Sequence, residues 1–277
     1  MTLAVAATAP FGAHVLEEIA RTREIDLLLT RPDRPRGRGR RVQAPAAKEA
    51  AERLGIPVTQ PERLTAEMEF TADVVVVAAY GVLIPDALLA ERLWLNVHPS
   101  LLPRWRGAAP IERAIMAGDI HTGVTIHRTT AELDAGPIAA QESFAIAADD
   151  DAGVVYERAA PMAARLVEEL LADDPTSIHF ADQAREGVTY AEKIVSEDRE
   201  LDWAAPAQQT IDRVRALAPH IGAWGTIDGR RLMVWRARLA QDAGANETFR
   251  VGDVELLEVQ PEGRRRMSAE EYLRGRR

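Results

Sequence analysis

The first half of the chain alternates short, nearly uninterrupted apolar runs with segments of helical periodicity. The apolar runs predict buried strands, and their continuous hydrophobicity is typical of parallel strands that are covered on both faces. Ala13–Thr22 and Ala46–Leu54 predict helices, the second bounded by Pro45 and Gly55. This alternation of strand and helix indicates a doubly wound, Rossmann-like α/β sheet. The predicted strands are Leu3–Ala7, Asp26–Thr30, Asp73–Ala79 and Leu93–Val97.

The pattern continues past residue 120 and then changes in character. Gly123–Arg128 and Ile138–Ile146 predict further strands, and Gly153–Leu171 predicts a long amphipathic helix. From about residue 202, a helix at Ala207–Leu217 is followed by short strand-like pieces with turn residues between them. We therefore expect an α/β domain over residues 1–185, a linker over 186–201 and a small β-rich domain over 202–277. The short strands of this second domain are Gly225–Ile227, Leu232–Arg238 and Val254–Val259.

The composition narrows the class of protein. Of the 277 residues, 47% are hydrophobic and none is cysteine. The lack of cysteine excludes disulfides, thiolate metal sites and cysteine nucleophiles, and it fits a cytoplasmic protein. The chain has no uninterrupted apolar run of about 18 residues, so we expect no membrane-spanning helix. Residues 1–9 lack the basic and long apolar segments of a secretion signal. We expect no membrane partner.

Charge is distributed unevenly along the chain. The net charge of −9 argues against a protein that coats nucleic acid. Two local basic patches instead suit a selective contact with a polyanion. The first, rich in proline and glycine, predicts an irregular loop that orders on a phosphate backbone, although a solvated surface loop is the alternative. The arginines are Arg31, Arg34, Arg36, Arg38, Arg40 and Arg41 in the first patch and Arg264, Arg265, Arg266, Arg274, Arg276 and Arg277 in the second.

Candidate chemistry begins at the end of the predicted strand Leu93–Val97. Asn96 and His98 are two residues apart, so in an extended chain they point to the same face. Pro99 ends the strand, and sites in open α/β sheets form beyond the carboxyl ends of strands. An amide and an imidazole there could bind a developing oxyanion and handle a proton, as acyl transfer requires. A polar pair satisfied by loop backbone is the alternative.

Asp134, in a predicted loop after Gly123–Arg128, is a candidate to orient His98 and raise its pKa, or else an ordinary turn residue. The segment Ala7–Gly12 after the first strand is not GxGxxG, which disfavours a dinucleotide site. The other histidines show no metal-ligand spacing, so we expect no metal and interpret them as structural or surface residues. They are His14, His121, His127, His179 and His220.

The chain resembles the folate-dependent formyltransferase family, and within it the enzymes that act on methionyl-tRNA. The run Ser100–Ile111, SLLPRWRGAAPI, resembles the signature of those enzymes, and the wider family shares the Asn-x-His pair and the later aspartate. The resemblance extends over nearly the whole chain. Further matching segments are Arg31–Gly39, Ala79–Pro85, Ala117–Asp119, Thr122–Ile126, Leu133–Gly136, Thr189–Ile194, Asp202–Trp203 and Gly222–Trp224.

The resemblance implies a Rossmann-like formyltransferase domain followed by a smaller OB-like β-barrel. It implies that Asn96, His98 and Asp134 form the catalytic trio, and that a monomer moves the formyl group of 10-formyltetrahydrofolate to the amine of initiator methionyl-tRNA for translation initiation. Tetrahydrofolate would bind at Ser100, Leu101, Leu102 and Pro103, and the tRNA acceptor end at Arg34, Arg36, Arg38, Arg40 and Arg41. In this reading, Asn96 and protonated His98 stabilise the oxyanion, while Asp134 holds His98 and keeps its pKa raised.

This chain departs from the family pattern in two places. Relatives usually have Gly-Thr-Pro and an acidic residue where this chain has Ala7-Thr8-Ala9-Pro10. The chain is also shorter than is usual, with the deficit around residues 240–251, so we expect a pared-down barrel. Two alternatives stay open: another folate-dependent enzyme acting on a sugar nucleotide, on glycinamide ribonucleotide or on formylfolate itself, and an RNA-binding protein without catalysis.

Overall fold

A computed structural model describes residues 1–36, 41–65, 67–68, 71–240 and 248–275, with the backbone alone at residues 36 and 41. The strands are β1 (Leu3–Ala7), β2 (Leu27–Leu29), β3 (Arg34–Arg36), β4 (Arg41–Gln43), β5 (Val58–Thr59), β6 (Val74–Ala78), β7 (Leu93–His98), β8 (Arg106–Gly107), β9 (His121–Arg128), β10 (Ile138–Ala145), β11 (Tyr190–Ala191), β12 (Ala223–Ile227), β13 (Arg230–Leu239), β14 (Arg250–Val251), β15 (Val254–Pro261) and β16 (Met267–Ser268). The α-helices are α1 (Pro10–Ala20), α2 (Ala46–Leu54), α3 (Asp86–Glu91), α4 (Pro110–Met116), α5 (Ala152–Leu170), α6 (Ala207–Leu217) and α7 (Ala269–Arg274), with short 3-10 turns at Pro175–Ser177 and Glu197–Arg199.

Seven strands of the described chain form one sheet in the order β10-β9-β7-β6-β1-β2-β5. The strands from β7 to β5 in that order run parallel, and β9 pairs with β7 in the antiparallel direction. Every residue of β1 and β6 is buried, as expected for central strands that face packed layers on both sides. The predicted α/β sheet is confirmed.

Helix α1 begins three residues before its predicted start, at Pro10. Proline suits a first helical position because its missing N–H would have no partner there. Gly12 lets this helix lie against the end of β6, since a Cβ at that position would overlap the carbonyl oxygen of Ala78. Helix α2 keeps its predicted bounds and ends at Gly55, whose φ of 71° is the left-handed conformation that glycine adopts readily.

The described chain forms two compact units. The first contains Met1–Arg106, Gly123–Ser143 and Tyr156–Tyr190. The second contains Gly107–Thr122, Phe144–Val155 and the chain from Ala191 onward. Short inner segments thus belong to the second unit, and the linear division at residues 185 and 202 stays a prediction.

The second unit is built around an antiparallel sheet in the order β12-β13-β15-β14, with β16 on β15. One face of this sheet and helix α6 share a buried apolar core, which includes Leu217, Val234, Leu256 and Val259. The predicted OB-like, β-rich second domain is confirmed in this form. Residues 241–247, within the stretch where we expect the barrel to be shortened, lie outside the described residues.

The first basic segment differs from its prediction as an irregular loop. Its two ends form the short strands β3 and β4, which pair antiparallel with Arg34 opposite Gln43 and Arg36 opposite Arg41. The prolines and glycines do not prevent this, because Pro35 requires only an extended backbone and the glycines lie between the two strands. Arg38 and Arg40 lie outside the described residues.

Candidate active site

Asn96 and His98 project from the end of β7, where the chain leaves the sheet at Pro99. The parallel neighbour β6 pairs residue for residue with β7 up to Ala78 opposite Val97, so His98 lies one residue beyond the pairing with β6, while it still pairs with Thr125 of β9. His98 is only 4% exposed, whereas Asn96 is partly exposed. The spacing of two residues therefore does what the sequence predicts and places an amide beside an imidazole at the sheet edge.

Asp134 reaches both of these side chains from the loop that follows β9. Its Oδ1 accepts a hydrogen bond from Nδ2 of Asn96 at 3.1 Å, and its Oδ2 lies 3.6 Å from Nδ1 of His98. The side chain of Asp134 is 10% exposed, and its backbone has a φ of 48°, which non-glycine residues rarely adopt. The predicted trio is thus brought together around one carboxylate, although its catalytic role stays a prediction.

His127 completes this cluster, although its position in the sequence predicts a structural or surface residue. It lies directly opposite Asn96 in the pairing of β7 with β9. Its Nε2 is 2.9 Å from Nδ2 of Asn96 and 3.6 Å from Oδ1 of Asp134, and its Nδ1 is 3.0 Å from the carbonyl oxygen of Arg128. The sequence offers part of this assignment, because residue 127 lies two residues from Thr125 on a predicted strand and therefore on the same face.

These contacts define the hydrogen-bond roles in the cluster. An imidazole whose Nδ1–H donates to the Arg128 carbonyl has an acceptor at Nε2, which matches the amide nitrogen of Asn96. The two hydrogens of the Asn96 amide are then both engaged, one by His127 and one by Asp134. A ligand oxygen can accept from this amide only after one of those partners gives way.

The pKa of His98 differs from the sequence expectation. Burial lowers it below the ordinary 6.5, and the charge of Asp134 and a hydrogen bond to Trp105 oppose this shift without reversing it. The expected protonated His98 with a raised pKa is therefore wrong for this state, because full burial of the ring outweighs one nearby carboxylate. The lowered pKa favours the neutral imidazole. Nε2–H of His98 donates to the Trp105 carbonyl at 2.7 Å, and Nδ1 faces Asp134.

Hydrogen bonds within the protein fix the segment Ser100–Pro103, the predicted folate contact. Ser100 is fully buried and its hydroxyl donates to the carbonyl oxygen of Arg104 at 2.7 Å. Thr125 donates to the carbonyl of Ser100 at 2.6 Å, and Gln141 donates to the carbonyl of Leu102 at 2.9 Å. The side chain of Leu102 is buried as well, so only Leu101 and Pro103 present partly exposed side chains.

Gly123, at the start of β9, allows this segment to lie close to the sheet. A Cβ at position 123 would overlap the carbonyl oxygen of Glu142 and the side chain of Leu101. Because glycine has no side chain, the Leu101 loop and the strand that contains Glu142 can both lie in close contact with position 123.

The basic segment presents Arg34 as an exposed residue of β3. Its base is fixed by Asp33, which accepts hydrogen bonds from Gln60 at 2.7 Å and from Lys48 at 2.8 Å. These hydrogen bonds, that from Gln60 first, lower the pKa of the Asp33 carboxyl. The contribution of Arg34, Arg36, Arg38, Arg40 and Arg41 to tRNA binding stays a prediction.

A cavity of about 600 Å³ lies away from this site, among the residues that begin β6 and β7 and those that end β9. None of the predicted site residues lines it, and its charged side chains are Asp73, Glu91, Arg92, Arg128 and Asp174. Within the described ranges, no three histidine, aspartate or glutamate side chains are grouped as metal ligands. No helix in the same part of the chain is long and apolar enough to cross a membrane.

Comparisons with known proteins place this geometry in context. Residues 2–171 match a family described as Formyl transferase, and residues 193–252 match Formyl transferase, C-terminal domain. A methionyl-tRNA formyltransferase from Paracoccus denitrificans (strain Pd 1222) is 42% identical over 285 residues, covering 97% of this chain and 95% of that protein. Sequence similarity of this extent includes both units.

Two solved structures share the fold at low sequence identity. The N-formyltransferase from Helicobacter canadensis, in complex with folinic acid and dTDP-3-aminofucose, has a TM-score of 0.69 at 14% identity and covers 94% of this chain and 99% of its own. HypX from Aquifex aeolicus, in complex with tetrahydrofolic acid, has a TM-score of 0.68 at 15% identity. The match covers 99% of this chain but spans only 47% of HypX.

Proposed function

This chain belongs to the formyl transferase family, and from that premise we propose that it moves the formyl group of 10-formyltetrahydrofolate to the methionine amine of initiator methionyl-tRNA. The observation that carries this proposal is the meeting of Asn96, His98 and Asp134 at the carboxyl edge of β7. The similarity to a methionyl-tRNA formyltransferase over both units supports tRNA as the acceptor. In this proposal the enzyme acts as a cytoplasmic monomer at the start of translation.

The donor supplies a formyl carbon that an amine can attack. A bond from the amine nitrogen to that carbon forms, the bond from the carbon to the folate nitrogen breaks, and one proton passes from the amine to the folate nitrogen. Asn96 donates to the formyl oxygen as it gains negative charge, which is the stabilisation that acyl transfer requires. Asp134 and Nδ1 of His98 lie 3.6 Å apart, and one of these two groups takes the proton that the amine loses and passes it on to the folate nitrogen.

We propose that two exposed apolar side chains near this edge contact the aromatic ring system of the folate. Leu83, in the loop after β6, is 81% exposed, and Leu133, next to Asp134, is 63% exposed. Large apolar side chains that are this exposed are candidates for contact with an apolar ligand surface. Ser100–Pro103 forms the adjoining loop, in which Leu101 and Pro103 are the residues that contact the folate.

The basic segment supports a nucleic-acid acceptor. Arg34, Arg36, Arg38, Arg40 and Arg41 provide positive charge on a chain whose net charge is −9, so attraction to phosphates is local. Such contacts orient an RNA backbone without reading its sequence. The discrimination of initiator tRNA from other tRNAs then depends on where this segment can reach.

The proposal is tested by supplying purified protein with 10-formyltetrahydrofolate and methionyl initiator tRNA. Mass spectrometry of the released aminoacyl group should show formylmethionine. Parallel reactions contain an amino sugar nucleotide, glycinamide ribonucleotide or no acceptor, and these test the alternative activities. Formylation of a small amine without formylation of methionyl-tRNA contradicts the proposed acceptor, and tRNA binding without any formyl transfer contradicts the proposed chemistry.

A further inference from the structure

The loop that carries Asp134 is held by a residue far along the chain, Gln183. Its Nε2 donates to two backbone carbonyls of this loop, that of Asp134 at 2.7 Å and that of Gly136 at 2.8 Å. Both hydrogens of the side-chain amide are therefore engaged on either side of Ala135. Gln183 has no direct contact with Asn96 or His98 among the hydrogen bonds described above.

The orientation of the Gln183 amide follows from its other neighbour. Arg106 is 8% exposed and donates to Oε1 of Gln183 twice, from Nε at 3.1 Å and from Nη2 at 2.8 Å. A guanidinium can only donate, so it requires an oxygen on its side of the amide. The nitrogen of the amide must then point to the two carbonyls, and a flipped amide would place like groups together on both sides.

The loop needs this support because its conformation is unfavourable. Asp134 has a φ of 48°, a strained value for a residue with a side chain, and such conformations persist where surrounding contacts hold them. Gly136 lies so close to β9 that a Cβ would overlap the carbonyl oxygen of Arg128. The loop is thus restrained by β9 on one side and by Gln183 on the other.

We propose that Gln183, oriented by Arg106, is a positioning residue for the formyl transfer, which acts by holding Asp134 where its carboxylate meets Asn96 and His98. This inference rests on the proposed function for its acceptor, but its geometric part does not depend on the substrate. Gln183 lies in the segment before residue 186, which no spacing in the sequence links to the site.

The test uses Gln183→Glu, which keeps the shape and the contact with Arg106 but directs an acceptor at two carbonyl oxygens. We expect kcat to fall about 10- to 100-fold, as for a displacement of about 1 Å. KM for the donor and for methionyl-tRNA should stay within about twofold, because in this proposal Gln183 acts through the Asp134 loop and not on a substrate. The matched control is Gln260→Glu, which removes an amide donor from the carbonyl of Arg264, 2.8 Å away, in the other unit and should leave kcat within about twofold.

A double-mutant cycle separates positioning from general damage. In the Asp134→Asn background, Gln183→Glu should cause little further loss, since both changes act on the same group. An equal loss in both backgrounds overturns the proposal, as does wild-type kcat for Gln183→Glu. A crystal structure of Gln183→Glu should show the carboxylate of Asp134 displaced from Asn96, and an unmoved carboxylate also overturns it. If the wild-type protein forms no formylmethionyl-tRNA, the proposed function fails, while the crystal structure still decides the role of Gln183.

Discussion

Both hydrogens of the Asn96 amide are engaged in the free protein, one by Asp134 and the other by His127. A formyl oxygen that binds this amide must displace one of them. If the formyl oxygen displaces the carboxylate of Asp134, the carboxylate loses its hydrogen bond from Asn96. It can then accept the proton that the amine loses. Stabilisation of the formyl oxygen and uptake of the proton by Asp134 are then linked through the side chain of Asn96.

Asn96→Ala tests the importance of this donor. Loss of one oxyanion donor costs about 3–4 kcal/mol in barrier, so we expect turnover to fall by roughly 100-fold or more. Steady-state formylation of methionyl-tRNA measures this, with the exposed Gln209→Ala on α6 as a control for handling. Turnover within a few-fold of wild type would remove Asn96 from the mechanism.

The lowered pKa of His98 predicts a pH dependence of stability. Because burial lowers this pKa, the unfolded chain binds more protons than the folded protein below the ordinary value of 6.5. The free energy of unfolding should therefore decrease as the pH falls from 7 through 6.5, and this part of the decrease should be absent in His98→Gln. Urea unfolding at a series of pH values measures the difference between the two proteins. Identical pH dependence would show that the ring is not held neutral by burial.

Residues could be assigned from the sequence only where spacing alone defines a face. Asn96 and His98 meet that condition because they are two apart on a strand. The distance of His127 from Asn96 depends on the register of β7 with β9, which no local pattern contains. Asp134 depends on a left-handed backbone and on Gln183, so without the family resemblance it reads as a turn residue.

At the scale of elements, one side chain of α4 adds a polar attachment within the second unit. Arg113 donates to both oxygens of Asp198, each at 2.8 Å, and to the carbonyl of Glu192 at 3.1 Å. The hydrogen bond from Arg113 is the first cause of a lowered pKa of Asp198. A short helix of seven residues is thereby fastened to the segment that precedes α6.

Arg113→Leu should destabilise this unit measurably. Loss of charge-assisted hydrogen bonds costs about 1–3 kcal/mol, so the midpoint of urea unfolding should fall. Arg265→Leu is the control, since its ion pair with Glu271 is exposed and such pairs contribute about 0–1 kcal/mol. Equal midpoints for the two variants would contradict the importance assigned to Arg113.

Long, strongly patterned elements could be predicted from the sequence, and short ones could not. α2, α6 and β1 have their predicted bounds because each has a full stripe or run of buried apolar residues. α3 and α4 were missed, since six or seven residues give too few turns for a periodic signal. β3 and β4 were missed because their pairing, not their composition, makes them strands.

On the scale of the whole molecule, the net charge and the local charge of the basic segment act on RNA in opposite directions. A net charge of −9 repels RNA in general, while the arginines of residues 31–41 offer one place of contact. The affinity for methionyl-tRNA should therefore depend on salt through few phosphates. The fold class could be predicted from the sequence, but the inner segments of the second unit could not, because contacts rather than chain order define them.

Arg38→Ala tests the role of the basic segment. The slope of log affinity against log salt concentration should become shallower by about 1, the value for one phosphate contact. Filter binding of methionyl-tRNA over a salt series measures this slope. Arg165→Ala serves as the control, because Arg165 is paired with Glu142 and Glu169 in its own unit. An unchanged slope for Arg38→Ala would leave the segment without a role in tRNA binding.

The glycine at position 123 lets a residue without functional groups influence the shape of the site. A single methyl group there meets the carbonyl of Glu142 on one side and Leu101 on the other. To make room, either the outer strand or the loop that begins at Ser100 has to shift, and that loop leads directly to the carbonyl that fixes His98. Alanine scanning of the polar side chains alone would pass over this position, although any larger residue there forces its neighbours to move.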